Sequence, residues 1–445
     1  MLLLKVLLKK KKSFHFDFKG AFSNTPLDRE ILVSMPKGYH RYDEEGNELI
    51  LSLRKSVYGL KQSGHDWEEM LKKFLLEYGF TQSVTEPMLY TKILEDGSHA
   101  DILVYVDDVF GACDSQDFID TFLSDLNNNF GVETKNLGPL SLVLGMAIEV
   151  NDTSISISQL QSIEKLLKEL DMEDCQDRDL PLAPSFKIQE ALDSEVLSPS
   201  QKEIYQSIVG SFLWINRGSR PDISFPVWLL TRNMHNPTVK LLEAAKYLVR
   251  YLKRTRNVKL TYSLDGSVSE LDLSEYGYTA EVPFGFCDAN WEAPRSVSSN
   301  FIMCCNAAFI WSVKKQSNVA LSTVESELTA LSDEACEVLY SQKVFQDLDM
   351  TFPEITTIFC DSKGAIQNAK HPVQKNKLKH IPIKCFFIRN CIDEGKILVK
   401  KIGTLDNISD IGTKLFGKIK FNLFGTFVLN DKIEKRRRVV NRPEK

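Results

Sequence analysis

No CxxC pair occurs among the nine cysteines of this 445-residue sequence, and the one adjacent pair, Cys304-Cys305, lacks zinc-ligand spacing. Zinc ribbons and dithiol redox motifs are therefore excluded. The scattered cysteines fit buried free thiols in a reducing compartment. No run is long and apolar enough to span a bilayer. The opening MLLLKVLLKKKK is not a secretory signal, because its apolar run is short, is broken by Lys5 and precedes its charge. Charge of one sign is scarce too: 55 basic residues against 60 acidic leave −5. The net charge argues against a chain that grips polyanions with its whole surface, so any such grip rests on local patches.

What is present is ordinary globular composition, 43% hydrophobic and 26% charged, with length for two to four domains. The low-complexity start runs directly into the dense stretch SFHFDFKGAF, which gives the expectation of a truncated chain or a misplaced start codon. Residues 14–22 and 101–111 read as β-rich runs, each carrying aspartate. Between them HDWEEMLKKFLLEYGF (65–80) spaces Trp67, Met70, Leu71, Phe74, Leu75 and Tyr78 as one helical face, closed by Gly79. DFIDTFLSDLNNNF (117–130) and QLQSIEKLLKEL (159–170) also read as helices, and LGPLSLVLGMAIEV (137–150) as a turn and strand. This alternation predicts an α/β or α+β first part. Residues 177–200, polar with three prolines, read as a linker. Residues 201–256 read as mostly helical, interrupted at 220–222 and 236–237. A second strand-rich unit begins near Val282.

The stretch ILVYVDDVF puts Asp107 and Asp108 at the tip of an apolar run, where like charges repel. In HFDF, alternation sends Phe16 and Phe18 to one face and Asp17 to the other. If the two strands share a sheet, three carboxylates converge, and Mg²⁺ relieves their repulsion through hard oxygen ligands. A pair of such ions ~3.5–4 Å apart activates an attacking hydroxyl and stabilises a leaving group. For the bare tetrapeptide, a solvated strand end is the competing reading.

The second unit carries its own acidic set. VPFGFCDANW (282–291) reads as a strand bearing Asp288, and residues 300–322 as a hairpin with KKQSN at its turn. Residues 323–348 read as a long helix with Leu328, Leu331, Ala335, Val338 and Leu339 inward. Ser322 or Thr323 suits its N-cap. Glu325 and Glu327 lie two positions apart, so only one can face a site. Asp361 ends a strand and Asp410 starts a last helix. Four carboxylates around paired Mg²⁺ ions suit attack of water on an RNA phosphodiester. Singly, each is as well read as a helix-dipole partner or an N-cap.

DFKGAF, SVYGLKQSGHDW, ILVYVDDVF, LGPLSLVLGMAIEV, YQSIVGSFLWINRGSRPDISFPV and AAKYLVRYLKRT occur in this order, followed by the second acidic set. Over roughly residues 14–414 they resemble the Ty1/copia family of retrotransposon reverse transcriptases. The resemblance implies a palm (14–175, with a fingers remnant), a linker and helical thumb or connection region (176–280), an RNase H-like domain (281–415) with a five-stranded mixed sheet and helices on both faces, and a basic tail (416–445). It implies Asp17, Asp107 and Asp108 as palm metal ligands, and Phe22 as the aromatic that screens the sugar 2′ position. It places Gln62 in the nucleotide pocket. It selects Glu327 over Glu325, joins it with Asp288, Asp361 and Asp410 as nuclease metal ligands, and adds His380 near that site. Mg²⁺, or Mn²⁺ in its stead, is the implied cofactor. The implied partners are RNA template, DNA primer, RNA·DNA hybrid, dNTPs and other Gag and Pol products, with no membrane. The implied location is a cytoplasmic virus-like particle and the nucleus.

The sequence departs from the family pattern at several points. Sixteen residues precede Asp17, so the Lys/Arg-rich fingers segment is expected to be missing. The family's SPRAW stretch is SGHDW here, which exchanges an arginine position for His65 and adds Asp66. A second family aspartate is Asn290, and the one after HI is Pro382. A decaying copy with a silent polymerase, or a non-catalytic nucleic-acid binder, are the alternatives. Local basic stretches expected to grip phosphate are Arg250, Lys253, Arg254 and Arg256, then Lys314 and Lys315, then Lys375, Lys377 and Lys379, then the tail.

Overall fold

The computed structural model describes residues 1–291, 295–370 and 382–433. They divide into a smaller unit, Leu2–Leu140 with Asp347–Met350, and a larger one, built from Ser141–Gln346 and from Thr351 onward. The expectation of a mixed α/β, multidomain chain holds.

The smaller unit runs α1 (Leu2–Leu8), β1 (Lys12–Phe18), α2 (Ala21–Asn24), β2 (Pro26–Ser34), β3 (Ile50–Lys55), α3 (Ser63–Glu77), β4 (Thr81–Gln82), β5 (Leu89–Ile93), β6 (His99–Tyr105), β7 (Asp108–Cys113), α4 (Gln116–Asn128) and β8 (Thr134–Gly138). Six strands form an antiparallel sheet in the order β4-β5-β6-β7-β1-β8, while β2 and β3 pair separately. Alternation in β1 buries Phe14, Phe16 and Phe18 against Trp67, Leu71 and Leu75 of α3 and Ile119, Phe122 and Leu126 of α4. Each such side chain contributes roughly 1.5–3 kcal/mol of transfer free energy. Ser115 caps α4 by accepting from Phe118 N. Gly79, at φ 94, ends α3 in the left-handed conformation that an L-residue resists. The opening MLLLKVLL is a packed helix: Leu4, Val6 and Leu7 are buried, and buried Lys5 pairs with buried Asp101 of β6 at 2.5 Å.

The larger unit continues with β9 (Leu142–Val143), β10 (Met146–Val150), β11 (Ser154–Ser158), α5 (Leu160–Glu169), α6 (Ile188–Leu192), α7 (Pro199–Ser219), α8 (Ser224–Thr231), α9 (Val239–Arg254) and β12 (Leu260–Ser263). Four strands pair in the order β12-β11-β10-β9, so β11 meets β12 across the expected domain edge at 175/176. The stretch expected to be a linker holds α6 and buries Leu182, Ala191 and Leu197. At RPD the chain makes a 3-10 turn. There fully buried Arg220 and Asp222 pair at 2.8 Å, and Tyr251 donates to Asp222 at 2.6 Å.

The remainder runs β13 (Phe284–Asn290), β14 (Val297–Cys304), β15 (Ala307–Lys315), α10 (Thr323–Asp347), β16 (Thr356–Cys360), α11 (Lys363–Lys370), α12 (Pro382–Asp393), β17 (Ile397–Lys401) and α13 (Lys418–Leu429). Its sheet has the order β15-β14-β13-β16-β17, antiparallel among the first three strands and parallel thereafter. The β14–β15 hairpin turns at Cys305-Asn306, not at KKQSN. Both turn residues have positive φ (50 and 67), the geometry that matches strand twist in a two-residue turn, and asparagine tolerates it. KKQSN instead closes β15, whose last two residues are Lys314 and Lys315. Asp410 lies on a 3-10 turn (Ile408–Gly412), and the last helix starts only at Lys418, a second correction.

Candidate functional site

In the smaller unit the YVDD stretch forms the β6–β7 hairpin, with Val106 and Asp107 at its turn. Val106 adopts φ 55, which is strained for a β-branched residue. Two hydrogen bonds hold the turn. Trp67 Nε1 donates to Val106 O at 2.6 Å, and Phe18 N donates to Asp107 O at 2.8 Å. Register sets Asp17 of β1 directly opposite Asp108 of β7. Carboxylates so placed repel, and a nearby positive charge is the usual relief. His15, two residues before Asp17 on the same face of β1, contacts Asp108 Oδ1 through Nε2 at 2.6 Å. The sheet thus brings Asp17, Asp107 and Asp108 to one end, but Asp108 is drawn toward His15. Among the described residues, this trio does not close into a tight ligand cluster.

Phe22 stands on α2 with its ring 4.8 Å from that of Tyr58. Gln62 is the N-cap residue of α3 and makes no capping bond with its side chain. The helix that carries Gln62 at its start also supplies Trp67 to the hairpin turn.

The larger unit holds the tight cluster. One ligand atom each from Asp288, Glu327 and Asp361 lies within 4.8 Å of the others. Strand register explains two of the three. Cys287 of β13 pairs with Cys360 of parallel β16, so the next residues, Asp288 within β13 and Asp361 just past the end of β16, emerge side by side. Ligand sites in open α/β sheets form at the carboxyl ends of strands. Glu327 comes from the second turn of α10. Glu325 faces elsewhere: its Oε2 accepts from Leu321 N at 2.7 Å, while Ser322 Oγ accepts from Glu325 N at 3.2 Å. The geometry therefore divides the two glutamates, one to the cap and one to the cluster.

The electrostatics there are unfavourable without a cation. Burial, then the neighbouring Asp288 carboxylate, push the Glu327 carboxyl up to about 10. Glu327 Oε2 is shut off from solvent and has no hydrogen-bond partner. Burial, then Asp410, push Asp288 up as well. Three converging carboxylates with an orphaned buried oxygen fit a hard divalent cation.

Asp410 adjoins this cluster without joining it. Its turn is docked on the sheet by Asn407, whose Nδ2 donates to Cys287 O at 3.0 Å, and by Ser409, whose Oγ donates to Ser299 O at 2.8 Å. A Cβ on Gly412 would meet Ser299 Oγ at 2.1 Å, so the close approach requires glycine. Asp410 Oδ1 pairs with Lys414 Nζ at 2.5 Å, and Oδ2 with Lys420 Nζ at 3.4 Å. Lys414 also lies 3.6 Å from Asp288 Oδ2, which accepts from Thr413 Oγ1. Burial draws Lys414 down, but Asp288 and Asp410 outweigh it and leave its ammonium more basic than usual.

His380 lies outside the described residues, as do Lys375, Lys377, Lys379 and the tail from residue 434. Of the other expected basic grips, Lys253 and Arg254 pair with Asp177 and Asp179 at 3.6 and 3.0 Å, and Lys314 with Asp333 at 3.5 Å. Sequence reasoning gave no role at a site to His15 or Lys414, and read Trp67 only as part of a helical face. The spacing Asp410–Lys414, four residues apart, was a signal for Lys414; nothing local marks His15 and Trp67 as partners of the hairpin.

A family described as "Reverse transcriptase (RNA-dependent DNA polymerase)" matches residues 1–184. The chain is 29% identical over 412 residues, 92% of its length, to the Retrovirus-related Pol polyprotein from transposon TNT 1-94 of Nicotiana tabacum. It is 30% identical over 415 residues, again 92% of its length, to that from transposon RE1 of Arabidopsis thaliana. It spans 30% and 27% of those two polyproteins. It is also 32% identical over 330 residues to a transposon Ty5-1 protein of Saccharomyces cerevisiae, covering 72% of this chain and 100% of the relative.

Proposed function

Because this chain belongs to the Ty1/copia-type family of retrotransposon Pol proteins and carries their reverse transcriptase domain, we propose that it copies RNA into DNA and cleaves the RNA strand of the resulting hybrid. In this reading residues 14–175 are the fingers and palm region, 176–280 a connection region, 281–415 an RNase H-like domain, and 416–445 an extension that holds α13 and ends in a basic stretch. The observation that carries the reading is the presence of two acidic sets, each gathered beside its own sheet, in the order the family pattern demands.

In the palm, Asp17, Asp107 and Asp108 would hold divalent cations, and Asp288, Glu327, Asp361 and Asp410 would do so in the nuclease. Mg²⁺, with Mn²⁺ as substitute, supplies positive charge against phosphate oxygens and against the developing charge of an in-line displacement. The chain's own residues do the positioning. Trp67 and Phe18 fix the hairpin turn so that Asp107 is presented rather than averaged over conformers. Phe22, backed by Tyr58, forms an apolar wall suited to excluding a ribose 2′-hydroxyl. Gln62 offers an uncommitted amide to a nucleotide. In the nuclease, the β13–β16 register and the capped start of α10 hold three carboxylates close before any cation arrives.

The substrates are an RNA template, a DNA primer, dNTPs and the RNA·DNA hybrid, and other Gag and Pol products are the protein partners. The compartments are a cytoplasmic particle and the nucleus. No helix among the described residues is long and apolar enough to cross a membrane. Primer extension on an RNA template, together with cleavage of an end-labelled RNA·DNA hybrid, both started with Mg²⁺, tests the proposal. Absence of both from folded protein would overturn it.

A further inference from the structure

Asp410 and Asp288 are each 2% exposed, yet the cation between them is a side chain of the protein itself. Lys414 Nζ stands 2.5 Å from Asp410 Oδ1 and 3.6 Å from Asp288 Oδ2. Lys420, on the other oxygen of Asp410, is confined by the rings of Phe416 and Phe424 at 4.6 and 4.8 Å. Among the described residues no ring confines Lys414 in this way. It sits on the irregular stretch between the 3-10 turn and α13, and its side chain is 41% exposed. It can therefore leave by a rotamer change that carries its ammonium into water.

We infer that Lys414 is an internal counter-ion that occupies the position of a second divalent cation between Asp288 and Asp410, and that this cation enters only when Lys414 swings out. The resting chain then holds one divalent cation, on Asp288, Glu327 and Asp361. A cation that reaches both of two adjoining buried carboxylates relieves their repulsion, and Lys414 Nζ is placed to do so. An ammonium and a divalent cation cannot share that gap, because like charges so close in a poorly hydrated site repel strongly. Lys414 thus holds the Asp288–Asp410 pair in place while substrate is absent, and makes entry of the second ion competitive with it. This inference rests on the nuclease reading of the site.

The test is to count Mn²⁺ ions bound, by electron paramagnetic resonance and calorimetry without nucleic acid. It uses the full chain carrying Asp17→Asn and Asp107→Asn, which silence the palm set. That protein should bind one ion. Adding Lys414→Met should bring a second ion with at least a ten-fold gain in affinity, and a further Asp410→Asn should remove it. Lys414→Arg, which keeps the charge, should stay at one ion. Should Lys414→Met fold only when Mn²⁺ is added, two ions bound on refolding give the same support. One ion in Lys414→Met, or two in Lys414→Arg, overturns the inference. So does Lys414→Met that binds Mn²⁺ as its parent does but loses affinity for RNA·DNA hybrid, since Lys414 is then a phosphate contact. Asp361→Asn in the same background should abolish the first ion. If it does not, the nuclease reading itself falls; if it does while Lys414→Met gains nothing, only the counter-ion role falls.

Discussion

Trp67 donates its indole N–H to the Val106 carbonyl across 2.6 Å, tying the first long helix of the smaller unit to the strained turn that presents Asp107. The bond couples a core residue to the proposed polymerase site. Trp67→Phe keeps most of the packing and removes the donor. It should cost about 1 kcal/mol of stability and lower primer extension several-fold, with hybrid cleavage unchanged. Parallel assays of both activities on one preparation check this. Equal loss of both would mean general unfolding instead.

Glu325 and Glu327 lie two residues apart on α10 and do different work. Glu325→Ala removes an acceptor at the helix start and should cost roughly 0.5–2 kcal/mol while cleavage persists. Glu327→Gln should abolish cleavage yet leave the metal-free chain at least as stable, because it deletes a carboxylate with no partner for its buried oxygen. Thermal melts beside cleavage rates separate the two. The reverse pattern would show that the wrong glutamate had been assigned.

The pH dependence follows from the same group. Glu327 is raised from 4.5 to about 10 by burial and by Asp288, and Asp288 is raised too. A carboxyl whose folded pKa exceeds its unfolded value makes the folded state take up a proton. Its stability contribution is full below the unfolded pKa and is lost as pH rises toward the folded one. In chelator, the melting temperature of the parent should fall as pH rises from 4.5 toward about 10, and Glu327→Gln should flatten that fall. Near neutrality, Mn²⁺ binding should release protons, seen as calorimetric heats that vary with buffer. A binding heat independent of buffer would contradict this.

The opening helix supplies a further check. Lys5 and Asp101 form a buried pair, and burial pushes Asp101 up while Lys5 opposes it. Lys5→Met leaves Asp101 buried without its partner and should cost roughly 3–5 kcal/mol, measured by denaturant unfolding. Lys5→Met with Asp101→Leu should recover much of the loss. A single variant as stable as the parent would show that α1 does not dock as described.

Much of this organisation was legible in local pattern. Alternation in HFDF, the helical spacing from Trp67 to Leu75 and the long stripe of α10 report burial by nearby residues, and the structure follows them. What could not be read depends on partners distant in sequence. The hairpin at Cys305-Asn306 has no glycine to announce its positive φ values, so the more polar KKQSN looked like the turn. The low-complexity start concealed Lys5 because its partner, Asp101, lies far along the sequence on β6. The linker reading of residues 177–200 rested on polarity and proline, whereas Leu182, Ala191 and Leu197 pack within the unit. At the acidic sites, sequence order named the carboxylates but not their occupants. Whether a carboxylate is free or held by His15, Lys414 or Lys420 depends on tertiary placement.

The central claim is that two separate acidic sets serve two separate reactions on one chain. The direct measurement is a crossed assay of Asp107→Asn and Asp361→Asn, each tested for Mg²⁺-dependent primer extension and for cleavage of labelled RNA·DNA hybrid. Asp107→Asn should lose extension and keep cleavage, and Asp361→Asn should lose cleavage and keep extension. Loss of both activities in either folded variant, or neither activity in the folded parent, would contradict the account.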